Sequence, residues 1–215
     1  MEKIKYAIFD ADGTLMDSMH IWDTLDAAFL TMRGIVPDEI GMFRKYGFFA
    51  TINHLIERYN LDMTFDEIKS EMMMILKYYY DNVPTPKNGV QAFLQKLKDK
   101  GVRCVVATAT DKSLMVPALK RLGLLEYFDE VFSTKDVGVS KHEPDIFDLA
   151  RDFLCADSDT FIFEDAAYAI DTAKRAGYRV IAIEDYSAES EREHIKEIAD
   201  YYITDYSQIY SILDL

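Results

Sequence analysis

Four short stretches of the sequence carry side chains that could do chemistry together, and each lies at the end of a β-like run or in the segment that follows one. These side chains are Asp10 and Asp12 in FDADGT, Thr108 in VVATAT, Lys141 after VGVS, and Glu164 and Asp165 in FIFED. Carboxylates held close together repel one another, and burying them without a partner is costly. A divalent cation such as Mg²⁺ removes that cost, because it prefers oxygen ligands. A lysine and a threonine hydroxyl instead suit an anion, and phosphate is the obvious candidate.

Each of these stretches is weak evidence when it is taken alone. An Asp-x-Asp-Gly sequence is common in turns, where Asp and Gly are favoured, and a Glu-Asp pair at a strand end is weaker still. The order and separation of the stretches are more informative. Mostly helical sequence separates Asp12 from Thr108, and about one helix–strand unit then separates each later stretch from the one before it. We therefore interpret the four stretches as parts of one site.

The elements that would bring these residues together are short strands that alternate with helices. Strands are predicted at 5–10, 103–108, 130–133, 160–165, 179–184 and, weakly, 201–204. Helices are predicted near 113–123, 144–154, 166–176 and 189–198. This alternation favours an α/β fold, a Rossmann-like doubly wound parallel sheet with helices on both faces. Ligands bind at the carboxyl ends of the strands in such sheets, and the candidate residues lie there.

Residues 17–83 interrupt the alternation with helical patterns only. Glycine, proline and asparagine residues separate these patterns, and the proline-containing segment VPTPKNG closes the block. We therefore predict an α-helical bundle domain over 17–83, inserted into an α/β core made of 1–16 and 84–215.

The composition narrows the class of protein. The 215 residues carry a net charge of −14, and we expect no nucleic-acid partner because an acidic protein repels phosphate backbones. Cys104 and Cys155 form no metal-binding motif and are expected to be reduced thiols. The N-terminal sequence has no apolar signal region, and no apolar run approaches the ~18 residues of a membrane span. We expect a cytoplasmic monomer or weak dimer that does not bind membranes.

The four stretches also resemble the motifs of a known family. In order, FDADGTLMDS, VVATAT, SKHEPDIF and FIFEDAAYAIDTAKRAG are similar to the four motifs of the haloacid dehalogenase-like superfamily. The similarity is to the branch that includes phosphoglycolate phosphatase and β-phosphoglucomutase, and it covers essentially the whole chain. The helical insertion resembles the α-helical cap of that branch.

The resemblance implies a role for each matching residue. Asp10 would be the nucleophile that becomes an aspartyl phosphate, and Asp12 would be the general acid and base. The phosphoryl group would be bound by Thr108, Ala109 and Lys141. The magnesium ligands would be Asp10, Asp12 through its carbonyl oxygen, Asp165, and Glu164 directly or through water. The second aspartate also separates this chain from the dehalogenases, because a halide leaving group needs no proton.

Some positions depart from the family pattern, and the substrate is not readable. His142 stands where proline is common, Thr110 stands where Asn or Ser is frequent, and Tyr168 lies in the loop after Asp165. None of these departures removes a core catalytic group, and we expect a surface or gating role for His142. In the helical insertion, the candidates for substrate selectivity are His20, Arg44, Lys45 and Phe48.

Three functions remain open on the sequence. We favour a Mg²⁺-dependent phosphatase that hydrolyses a small phosphorylated metabolite through an aspartyl-phosphate intermediate. The first alternative is a sugar phosphomutase with the same intermediate. The second is a catalytically silent binding protein on the same fold, which the intact set of acidic and basic residues disfavours.

Overall fold

The structure is a computed structural model that describes residues 1–156 and 160–215. The described residues divide into two compact units. The first comprises Met1–Asp17 and Thr85–Leu215, and the second comprises Ser18–Pro84. The first unit therefore carries all four of the stretches with which the sequence analysis began.

A six-stranded parallel sheet forms the centre of the first unit. In chain order the strands of the described residues are Tyr6–Phe9 (β1), Met16–Asp17 (β2), Thr85–Pro86 (β3), Arg103–Thr108 (β4), Glu130–Ser133 (β5), Thr160–Glu164 (β6), Arg179–Ile183 (β7) and Tyr201–Ile203 (β8). The order across the sheet is β5-β4-β1-β6-β7-β8, and every neighbouring pair is parallel. The predicted α/β fold on a parallel sheet is confirmed, and β1 is a central strand.

Successive side chains of a strand point to opposite sides of the sheet, and in β1 the side chains on both sides are buried. Ile8 belongs to one apolar cluster together with Val105 and Ile162. Phe9 faces the other side, where its ring stacks on Phe163 with 4.3 Å between the ring centroids. Burial on both faces explains why the strand sequences are continuous apolar runs rather than alternating ones.

The helices follow the predicted alternation with two additions. In chain order the α-helices of the described residues are His20–Thr31 (α1), Met42–Tyr46 (α2), Phe48–Arg58 (α3), Phe65–Asn82 (α4), Val90–Asp99 (α5), Lys112–Arg121 (α6), Thr134–Val137 (α7), Asp145–Leu154 (α8), Ala167–Arg175 (α9) and Arg192–Ile198 (α10). The additions are α5 and the single turn α7, which are absent from the predicted helices. The buried side chains of α5 are Val90, Phe93, Leu94 and Leu97, which have the spacing of one helix face.

The second unit consists of helices α1 to α4. A capping box begins α4: the Thr64 hydroxyl accepts from the Glu67 N–H at 3.3 Å, and the Glu67 carboxylate accepts from the Thr64 N–H at 2.7 Å. Asp26 is fully buried in α1, and its Oδ2 accepts from the Met42 N–H at 2.7 Å. This hydrogen bond joins the start of α2 to α1 and satisfies a buried carboxylate.

β2 and β3 form a separate antiparallel ribbon, in which Asp17 lies opposite Thr85. Lys87 follows the ribbon and is held by two carboxylates. Its Nζ lies 2.9 Å from Asp17 Oδ1 and 2.6 Å from Asp185 Oδ2, in the segment after β7. The lysine therefore connects the two-stranded ribbon to the segment that follows β7.

Two further expectations concern the whole chain. Cys104 and Cys155 are both free thiols, the first buried in β4 and the second exposed. Within residues 1–156 and 160–215, every helix is too short or too polar to cross a membrane.

Candidate active site

The backbone pairing of the central strands brings the first candidate residues together. In β1, Phe9 lies opposite Phe163 of β6, and the next residue continues the ladder because the Asp10 N–H donates to the Phe163 carbonyl at 2.9 Å. The residues that follow these two phenylalanines are Asp10 and Glu164, so both carboxylates lie at the carboxyl ends of neighbouring parallel strands. Thr108 ends β4 on the other side of β1.

Three buried carboxylates form a compact cluster at these strand ends. Asp10, Glu164 and Asp165 each offer one oxygen, and these oxygens all lie within 4.8 Å of one another. The three residues are at most 5% exposed. Burial, together with the charge of Glu164, raises the pKa of Asp10 to about 8. Burial and the charge of Asp10 likewise raise the pKa of Asp165 well above its usual value.

Lys141 supplies a positive charge inside this cluster. Its Nζ donates to Asp10 Oδ1 and, at 2.8 Å, to Glu164 Oε2. Burial alone would lower the pKa of the lysine, but the charges of Asp10 and Glu164 hold it above its usual value. The ammonium therefore remains charged and bridges the residue that follows β1 to the last residue of β6.

The donor set fits a divalent cation. If all three carboxylates were ionised, they and one ammonium would leave two negative charges in a buried space, and the raised pKa values of Asp10 and Asp165 show that this is unfavourable without a further positive charge. Carboxylate oxygens are the ligands that hard divalent cations prefer. The cluster could therefore hold such a metal ion.

The loop after β1 is fitted closely around Asp165. The Thr14 hydroxyl donates to Asp165 Oδ1 at 2.8 Å. Gly13 has φ +85°, and a Cβ at this position would lie only 2.3 Å from Asp165 Oδ2. The glycine is therefore required both by its backbone conformation and by the close approach of the carboxylate.

Asp12 is oriented differently from Asp10. Its carboxylate is outside the group of three described above, and its Oδ2 accepts a hydrogen bond of 2.6 Å from the Thr110 hydroxyl. This arrangement is compatible with the expectation that Asp12 uses its carbonyl oxygen for the metal and its carboxyl group for proton transfer.

The predicted phosphate-binding residues lie on the loop after β4. Thr108 is fully buried, and its hydroxyl oxygen accepts from the Thr110 N–H at 3.0 Å. The Ala109 carbonyl accepts from the Thr134 hydroxyl at 3.3 Å. Because the Thr108 hydroxyl oxygen is the acceptor in its bond with Thr110, its own O–H can still be donated, as a phosphoryl-binding threonine would need.

The four candidates for substrate selectivity belong to the second unit, where each has a contact. His20 meets the Tyr79 hydroxyl at 2.8 Å through Nδ1, and the Phe48 ring lies 5.4 Å from that of Phe43. The two basic residues form ion pairs with acidic ones. Arg44 pairs with Asp23 at 3.0 Å, and Lys45 pairs with Glu39 at 2.9 Å.

The structure adds residues that the sequence analysis did not single out as part of the site. Besides Gly13 and Thr14, these include Tyr206, whose buried hydroxyl donates to the Thr14 carbonyl at 3.0 Å. Tyr206 lies in a short 3₁₀ segment near the C-terminus, and no motif marks it. His142 is exposed, and its ring lies 4.6 Å from that of Tyr168.

Comparison with known proteins defines the class of this chain. The model of the haloacid dehalogenase-like hydrolase family matches residues 7–183. The chain therefore belongs to this family, which confirms the family resemblance seen in the sequence motifs.

Individual relatives carry phosphatase names. The chain is 27% identical to "Putative pyrophosphatase PpaX" of Caldanaerobacter subterraneus, over 98% of this chain and 95% of that protein. It is also 27% identical to a phosphoglycolate phosphatase of Neisseria gonorrhoeae, over 82% of this chain and 78% of that one.

The fold has close counterparts among solved structures. A crystal structure described as a "putative beta-phosphoglucomutase" of Thermotoga maritima matches with a TM-score of 0.78 and 23% identity. The match covers 99% of this chain and 98% of the other. At this level of identity the likeness establishes the shared fold.

Proposed function

We propose that this hydrolase is a Mg²⁺-dependent phosphatase that removes the phosphoryl group of a small phosphorylated metabolite. The observation that carries the proposal is the buried cluster of Asp10, Glu164, Asp165 and Lys141 at the end of the central strands. The phosphatase names of its relatives agree with this chemistry. The helical unit would act as the cap that selects the leaving group, with His20, Arg44, Lys45 and Phe48 as the candidate selectivity residues.

In the first step, a carboxylate oxygen of Asp10 would attack phosphorus. The bond between phosphorus and the leaving oxygen would break, and an aspartyl phosphate would form on Asp10. Phosphoryl transfer depends mainly on alignment and on neutralising charge. Lys141 would supply part of that neutralisation, because its ammonium already bonds to Asp10 and remains charged.

Asp12 would transfer the protons of the reaction. In the first step it would protonate the leaving oxygen, and in the second it would take a proton from the water that attacks the aspartyl phosphate. Asp12 lies two residues beyond the nucleophile on a turning backbone, so it can approach the phosphoryl group from another side. Thr108 and Ala109 would bind the phosphoryl oxygens together with Lys141.

Mg²⁺ would be held by Asp10, Asp165 and the carbonyl oxygen of Asp12, with Glu164 bound directly or through water. When bound, it would neutralise charge on the phosphoryl oxygens. The excess of carboxylates over ammonium in the cluster supports this assignment.

A panel of phosphorylated metabolites, together with an aryl phosphate, tests the proposal. We expect inorganic phosphate release that requires Mg²⁺, stops with EDTA, and is abolished in Asp10→Asn. The matched control is Asp214→Asn, which removes an exposed carboxylate from the same unit and should retain full activity. Interconversion of sugar 1- and 6-phosphates that outruns hydrolysis would instead indicate a phosphomutase. Metal binding without turnover on any substrate would indicate a silent binding protein.

A further inference from the structure

Thr110 links the loops that follow two neighbouring strands of the sheet. Its side chain is 7% exposed, and its hydroxyl donates to Asp12 Oδ2 at 2.6 Å. The two residues are 98 positions apart in the chain, so the contact exists only because β1 and β4 are adjacent. Hydrogen bonds to carboxylates are short and strong, which makes this bond a firm constraint on the Asp12 side chain.

The direction of the hydrogen bond distinguishes the two oxygens of Asp12. A threonine hydroxyl that donates to Oδ2 marks that oxygen as an acceptor. The hydrogen bond holds Oδ2 in place and thereby fixes the direction in which the rest of the Asp12 carboxyl group points.

The backbone of Thr110 is fixed by the phosphate-binding loop. Its N–H donates to the Thr108 hydroxyl oxygen at 3.0 Å. The same residue therefore contacts the candidate phosphate-binding threonine through its backbone and the candidate acid through its side chain. Through Thr110, the loop after β4, which would hold the phosphoryl group, also fixes the position of the Asp12 carboxyl group.

We propose that Thr110 is a positioning residue that orients the Asp12 carboxyl group for proton transfer to the leaving oxygen, an inference that rests on the proposed phosphatase function. In that step the bond between phosphorus and the leaving oxygen breaks, and its electron pair stays on that oxygen. The proton of the Asp12 carboxyl group passes to the same oxygen, and Asp12 is left as a carboxylate whose Oδ2 accepts a hydrogen bond from the Thr110 hydroxyl.

The leaving group provides a readout that a structural role would not move. Proton donation matters most for a poor leaving group. The value of kcat/KM reports the steps up to and including the departure of the leaving group. The substrates are phenyl phosphate, 4-nitrophenyl phosphate and 2,4-dinitrophenyl phosphate, in order of improving leaving group. For Thr110→Val we expect kcat/KM to fall by about 10- to 100-fold with phenyl phosphate and by less than about threefold with 2,4-dinitrophenyl phosphate.

Two further variants complete the experiment. Thr110→Ser keeps the hydroxyl and should remain within about threefold of the wild type on all three substrates. In an Asp12→Asn background, Thr110→Val should add less than about a twofold loss, because the two residues act as a unit. Should Thr110→Val fail to fold, Thr110→Ala gives the same comparison.

The outcomes separate this inference from the function on which it rests. An equal loss of kcat/KM on all three substrates, or an unchanged Thr110→Val, would overturn the positioning role while the wild-type turnover upholds the phosphatase. A full additional loss in the Asp12→Asn background would overturn it as well. Absence of wild-type turnover on every substrate would overturn the proposed function and this inference together.

Discussion

The Lys141 ammonium donates to Glu164 Oε2 at 2.8 Å, and both side chains are at most 2% exposed. The other carboxylate oxygen of Glu164 accepts from the Ala166 N–H at 3.3 Å. Both oxygens of Glu164 thus have protein partners. The main contact of Glu164 is therefore with Lys141. Among the described residues, its neighbour Asp165 has one side-chain hydrogen-bond partner, the Thr14 hydroxyl.

This difference predicts unequal effects on metal binding. Asp165→Asn should weaken Mg²⁺ binding by about 100-fold, because a neutral amide is a poor ligand for a hard cation. Glu164→Gln should weaken it by less than about 10-fold, because most of the role of Glu164 lies in holding Lys141. Isothermal titration of the purified variants with Mg²⁺ measures both values. Equal losses in the two variants would show that Glu164 is a ligand of the same rank as Asp165.

Gly13 offers a test of the close approach to Asp165. Gly13→Ala places a Cβ 2.3 Å from Asp165 Oδ2, so the carboxylate must move and phosphatase activity should fall by at least ~100-fold. The matched control is Gly177→Ala, since Gly177 has φ +86° against +85° for Gly13 but has open space around it. The control should lose only about 1 kcal/mol of stability and keep its activity. Urea unfolding and phosphate release distinguish the two, and similar activity in both variants would exclude the steric explanation.

Lys87 is predicted to be important for stability. Lys87→Met leaves the buried carboxylate of Asp185 without its ammonium partner, which should lower the free energy of unfolding by about 3 kcal/mol. The control is Lys98→Met in the same unit, where a half-exposed lysine pairs with Glu126 at 3.6 Å. That change should cost less than about 1 kcal/mol. Urea denaturation measures both, and an equally small loss in the two variants would contradict the predicted role of Lys87.

Asp111 gives the first turn of α6 a pH-dependent contribution. Its hydrogen bond to Lys135 and the N–H of Ser113 lower the pKa of this carboxyl group to about 2. A lowered folded-state pKa means that the charged form stabilises the fold above the ordinary value, and that this contribution is lost as the pH falls toward 2. Asp111→Asn keeps a capping oxygen but removes the charge, so it should cost about 0.5 kcal/mol at pH 7. The difference from the wild type, measured by urea unfolding, should shrink between pH 4 and pH 2, and a constant difference would contradict this assignment.

The elements of the first unit were largely predictable because their signals are local. The apolar runs that form β1, β4 and β6 are continuous in the sequence and end in the polar residues of the site. α5 is not among the predicted helices although Phe93 and Leu97 have helical spacing, because it directly follows the proline-containing segment that closes the predicted insertion.

The contacts inside the site were not predictable for a different reason. The hydrogen bonds of Thr110 to Asp12, Thr14 to Asp165 and Tyr206 to Thr14 span 98, 151 and 192 positions of the chain. Each depends on how two segments distant in the chain meet and on the rotamer of the side chain that donates. The motifs indicate which residues do chemistry, whereas these contacts decide how each one is held.

The central place of β1 has a consequence for how the molecule is made. Tyr6 pairs with Arg103 on one side and with Thr160 on the other, so the first strand of the sheet in chain order gains its second neighbour only when β6 has been made. Pairings between distant segments form slowly, because the entropy of closing a long loop is lost before the contacts of the pairing contribute any favourable free energy. The strand that leads into Asp10 therefore lacks β6 during most of the synthesis of these residues, and a growing chain acquires its acidic cluster only after residues 160–165 have emerged.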